Sequence, residues 1–135
     1  MLKIQNYIIG FFIILFITTP CYPEKKGIYL GECTWPEAEK WFKDAPIVIL
    51  PFGGGAKEHG PHLPMNADQK VMEYLCDRAV DNFPVMIAPP ILHGWFPAFR
   101  EFPGTEIADA EVFRSYVFEA AISLVKHGAQ RIVLL

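Results

Sequence analysis

At 135 residues the chain has room for one domain, and its net charge of −3 is spread along the sequence. No basic stripe or basic–aromatic run marks a nucleic-acid surface, and no acidic tail marks a disordered segment. Hydrophobic residues make up 52% of the chain, a share raised by an apolar N-terminus, so the rest reads as a small globular domain with a modest core.

Residues 1–23 read as a secretion signal. Lys3 supplies the positive start, and residues 7–17 form an uninterrupted apolar run of 11. That is well short of the roughly 20 residues a spanning helix needs. Thr18, Thr19 and Pro20 break the run, and charge follows at Glu24, Lys25 and Lys26. Cys21 lies where a lipoprotein carries its lipidated cysteine, although Pro20 is a poor residue before one. An uncleaved anchor is the third form of attachment. The expectation is an exported protein, periplasmic or secreted, that meets the membrane only through its signal or a lipid anchor. The three cysteines have no metal-ligand spacing. Cys33 and Cys76 are expected as ordinary, partly buried thiols, with a disulfide between them as the alternative.

Residues 24–135 form the mature domain. Thr34-Trp35-Pro36-Glu37 has the form of a capping box and should open a helix through about Lys43. Residues 46–51 are a short, β-branched apolar run that suits a strand buried on both faces of a parallel sheet. Residues 68–83 carry Val71, Met72, Leu75, Ala79 and Val80 at helical spacing. Residues 84–89 repeat the buried-strand pattern, and a loop rich in glycine, proline and aromatics covers 90–107. Asp109 should cap a second long helix with an apolar face of Val112, Val117, Ala120, Ala121, Leu124 and Val125, ended by Gly128. Residues 131–135 form a third apolar strand. Strands alternating with helices predict an α/β fold with a mainly parallel sheet and right-handed crossovers. Three strands are few for such a sheet, and a bare apolar strand at its end leads us to expect a domain that continues past Leu135.

The chemistry concentrates in residues 52–68, at the carboxyl end of the first predicted strand, where parallel α/β sheets bind ligands. His59, His62 and Asp68 are residue types that zinc and hard divalent cations take as ligands. Gly60 and Pro61 would fix a tight turn, and glycines 53, 54 and 55 would let the backbone approach a substrate or a neighbouring strand. The glycine run lacks the Gly-Lys-Ser/Thr ending of a phosphate-binding P-loop. From the residues alone, a metal site and a polar loop with two solvated histidines both stand.

Leu50-Pro51-Phe52-Gly53, then Glu58-His59-Gly60-Pro61-His62-Leu63-Pro64, then Asp68, resembles the signature of the creatininase (creatinine amidohydrolase) family. Phe102-Pro103-Gly104-Thr105 and the His127-Gly128 turn are similar to that family's later segments. The resemblance runs from about Thr34 to Leu135. It implies a three-layer α/β/α hydrolase, of which this chain is about the first half, with a dinuclear zinc or manganese centre and often a hexameric assembly. The implied reaction is hydrolysis of a small-molecule amide, cyclic or formyl, with two cations polarising the carbonyl and activating a water. By position, His59 would be a metal ligand and Asp68 would bridge the two ions. Glu58 and His62 are the candidates for catalytic roles, His62 beside the metal site or on substrate.

Two departures bear on this reading. Many members have a glutamate ligand two residues before the ligating histidine, where this chain has Lys57. Glu58 is one residue later, and neighbours in extended chain point to opposite sides. Lys57 would mark a one-ion subgroup, become a carboxylated bridging ligand, or serve as an ammonium that replaces a cation's charge or pairs with a carboxylate. Second, the family's remaining ligands lie in an Asn-x-His segment after the third strand, where this sequence stops. The 135-residue chain alone is therefore expected to be inactive. The alternatives to an enzyme are a non-catalytic remnant or accessory binding domain of the same fold, and an unrelated exported α/β domain. Trp95, Phe96 and Phe99 would line a pocket or a subunit interface, or simply pack locally. His93 receives no role.

Overall fold

The structure is a computed structural model that describes residues 25–44 and 47–135. Residues 1–23, where a secretion signal is expected, and with them Cys21, lie outside the described residues. Four strands and three helices follow in the order β1 (Ile28–Tyr29), α1 (Trp35–Asp44), β2 (Val48–Leu50), α2 (Ala67–Asn82), β3 (Met86–Ile87), α3 (Ala110–Lys126) and β4 (Ile132–Leu134). Single 3-10 turns occupy Leu30–Glu32 and Pro97–Phe99.

All strand pairs are parallel, and the sheet order is β1-β3-β2-β4. The chain thus moves across the sheet in one direction through α1, back through α2, and forward again through α3. Right-handed crossovers then place α1 and α3 on one face and α2 on the other. The two cores bear this out. Val48, Leu50 and Met86 point toward Phe42 of α1 and Leu124 of α3. Ile49 and Ile87, one residue out of phase, point toward Met72, Cys76 and Val80 of α2. Alternation of side chains along each strand feeds both layers. The result is the α/β/α arrangement expected from the sequence, with the central strands buried on both faces.

Several details differ from the sequence expectation. β1 was not among the predicted strands. The buried line of α2 is Met72, Cys76 and Val80, while Val71 is 60% exposed and Leu75 is also exposed. On α3 the inner face runs through Phe113, Val117, Ala120 and Leu124, and Val112 and Val125 face outward. Met72, Ala79 and Val80 on α2 and Val117, Ala120 and Leu124 on α3 face the core as predicted, whereas Val71, Leu75, Val112 and Val125 lie on the flanks and turn outward. Cys33 and Cys76 are free thiols, so the alternative of a bond between them does not hold. No helix among the described residues is long and apolar enough to cross a membrane.

Candidate functional site

β2 and β3 are neighbours in the sheet, yet the segments leaving their carboxyl ends turn to helices on opposite faces. This divergence opens a crevice of the kind parallel sheets use for ligands. Residues 51–66 form one wall and residues 88–109 the other. They are tied together: Phe52 and Ile91 form a parallel bridge, Ile91 N donates to Pro51 O at 2.9 Å, and Glu106 N donates to Ala56 O at 2.9 Å. Glycines 53 and 55 allow this closeness, since a β-carbon at Gly53 would come within 2.8 Å of Leu92 Cδ2 and one at Gly55 within 2.9 Å of Leu92 O. At these two positions the close approach is to Leu92, in the loop that follows β3.

The first wall folds back on itself. Lys57 N donates to Met65 O at 3.0 Å, which brings Lys57 and His59 over the start of α2. Asp68 sits in that helix's first turn, where a carboxylate also meets the positive end of the helix dipole. Lys57 Nζ donates to Asp68 Oδ2, and His59 Nε2 stands 3.6 Å from Asp68 Oδ1, beyond hydrogen-bond reach. Lys57 and His59 are covered, with side chains 16% and 14% exposed, while Asp68 is 47% exposed. From the second wall, the Phe96 and Phe99 rings lie 5.1 and 5.4 Å from Lys57 Nζ. Trp95 instead stacks under Arg100 on the outside.

His59 Nε2 is buried and has no hydrogen-bond partner; Thr105 Oγ1 is the other such atom found among the described residues. Buried polar atoms are normally paired, so an orphan facing a carboxylate makes this pair the candidate site. Imidazole nitrogen and carboxylate oxygen are suitable donors for one divalent cation. They fill only two positions of its shell, and no group of three or more His, Cys, Asp or Glu that could hold a metal occurs among the described residues.

The structure therefore unites His59 and Asp68, and joins Lys57 to them. It does not bring in the other two candidates. Glu58 Oε1 accepts from Gly60 N and so is turned into its own loop. His62 is exposed, with its ring folded beside Gly60. His93 pairs with Glu106 at 2.9 Å on the surface. The roles of Phe96 and Phe99 against Lys57 were not legible in the sequence beyond their clustering. Two hollows of about 460 and 480 Å³ lie elsewhere, one by Trp35, Phe42 and His127 and one by Tyr29, Cys76 and Asp77. Neither is lined by Lys57, His59 or Asp68.

Comparison with known proteins places this geometry in context. The chain is 28% identical over 115 residues to the creatinine amidohydrolase of Pseudomonas putida, covering 82% of this chain and 44% of the relative. A manganese creatininase structure superposes with a TM-score of 0.73 at 28% identity, over 80% of this chain and 44% of its own. A mutant creatininase of Zn-Zn type gives the same figures. Manganese and zinc forms thus occur among the structural relatives, and the chain spans less than half the length of each. The family model for creatinine amidohydrolase matches residues 31–135, and the chain belongs to the creatininase family.

Proposed function

We propose that this chain supplies the first part of a metal-dependent amidohydrolase that hydrolyses a cyclic or formyl amide of a small molecule. The observation that carries the reading is the buried, unpartnered His59 Nε2 facing the Asp68 carboxylate in the crevice of a creatininase-family fold. His59 and Asp68 would hold a divalent ion, zinc or manganese, which supplies polarisation of the amide carbonyl and activation of a water. Lys57 balances the Asp68 charge, and the Phe96 and Phe99 rings keep water off that side of the pair. Glu58 and His62 would act only after the loop shifts, because neither faces Asp68 here.

Export, and assembly as a hexamer, belong to the same proposal and rest on the apolar leader and the family resemblance. Two protein donors are too few for a closed metal site, so the 135-residue chain alone is expected to show no amide hydrolysis. The test is made on a protein that carries this chain as its N-terminal part. Hydrolysis of creatinine or a formylamide should be lost on chelation and restored by zinc or manganese, and Asp68→Asn should lower it at least a hundredfold. Chelator-resistant hydrolysis, or none, would overturn the reading. The Lys57–Asp68 pair favours a second reading, a binding domain without catalysis, and complete inactivity with retained metal or amide binding would select it.

A further inference from the structure

Asp68 is the residue that both covered side chains address, and its carboxylate is divided between them. Oδ2 accepts from Lys57 Nζ, and Oδ1 faces His59 Nε2. A carboxylate that joins two cations must offer one oxygen to each. Here one oxygen is already engaged by a positive charge. That ammonium is no wandering surface group: it is enclosed by the carboxylate and by the Phe96 and Phe99 rings, which attract cations through their faces. A divalent ion beside it would meet like-charge repulsion in a partly desolvated place. Displacing the ammonium would leave it stranded among aromatic carbon.

The residues present therefore offer two donors, His59 Nε2 and Asp68 Oδ1, toward one divalent ion whose other ligands they do not supply, and leave no place for a second. We propose that Lys57 stands in for the second cation, so that the site takes a single divalent ion between His59 Nε2 and Asp68 Oδ1. In this respect the chain would differ from the Zn-Zn creatininase form it resembles. The inference rests on the metal-site reading given under the proposed function, and its test separates the two.

Cobalt(II) is titrated into a metal-free protein that carries this chain as its N-terminal part, and into its Lys57→Glu, Lys57→Met and His59→Ala variants. Bound metal per chain and visible ligand-field absorption are read, with far-ultraviolet circular dichroism confirming that each variant is folded. The expected result is one ion per chain for the native sequence and for Lys57→Met, the latter bound about tenfold more tightly once the ammonium is gone. Lys57→Glu should rise to two ions per chain, and His59→Ala should lose at least tenfold in affinity. Two ions bound by the native chain, or one by a folded Lys57→Glu, would overturn the inference and leave the metal-site reading standing. Equal binding by the native chain and His59→Ala, or no binding by any of them, would remove the metal-site reading and this inference with it.

Discussion

A β-carbon at Gly54 would stand 3.5 Å from both Asp68 Oδ2 and Phe96 Cζ, an ordinary contact, so space is not what requires glycine there. The backbone is: φ is +56°, a region that costs other residues roughly 1–2 kcal/mol. Gly54→Ala should lower unfolding stability by about that amount in urea titration. Gly31→Ala, where nothing lies within 4 Å and φ is not positive, should be close to neutral. Tyr29 gives a pH dependence. Burial, then the 2.6 Å hydrogen bond to Asp77, raises its phenol well above the ordinary range. The folded chain holds this proton more tightly than the unfolded chain, so the stabilisation is complete below about pH 10 and declines as pH rises further. Melting curves from pH 8 to 11 should show the advantage of the native chain over Tyr29→Phe shrinking above about pH 10. At this scale the sequence revealed the ligand types but not their pairing. Whether Glu58 or Lys57 turns toward Asp68 depends on how residues 57 and 65 close the loop, which no local spacing encodes.

The helix ends were the most legible elements, because capping is local chemistry. Asp109 accepts from Glu111 N at 2.9 Å, as its position before the apolar run suggested. Asp109→Ala should cost about 1 kcal/mol in thermal or denaturant unfolding. Gly128, at φ +115°, closes the other end, with Gly128 N on Val125 O and Ala129 N on Leu124 O, both 3.0 Å. This is the paired hydrogen-bond pattern that glycine-ended helices adopt. At α1 the expected box is half formed: Thr34 N donates to Glu37 Oε2 at 2.8 Å, but the Thr34 hydroxyl also donates to that carboxylate rather than capping a backbone N–H. Those bonds favour the ionised Glu37 carboxylate and lower its pKa, so their support is present above the normal glutamate range and is lost as pH falls through the lowered value. β1 was invisible for a different reason. Two residues carry no periodic signal, and Gly27 and Ile28 are held by Val80 and Val85, far along the chain.

For the whole molecule, the alternation of strands and helices foretold a parallel sheet, while the order β1-β3-β2-β4 did not follow from it. Element order says nothing of which strand inserts between two others; long-range pairing decides that. The same order places β4 beside β2 with no strand on its outer side among the described residues, and leaves Val133, Leu134 and Leu135 exposed. An open apolar edge invites strand-to-strand association. The 135-residue chain should therefore self-associate as its concentration rises, and Leu134→Lys should shift light scattering toward the monomer. If the variant scatters as the native chain does, the edge is not the cause.

The uneven cover of the candidate site has a directional consequence. Lys57 and His59 are roofed by their own loop and by two rings, whereas Asp68 meets solvent. An ion or amide that took up the proposed site would come in over the carboxylate and leave the same way. Selection of what may enter would therefore fall to whatever borders Asp68 at the mouth, and much less to the aromatic wall behind it.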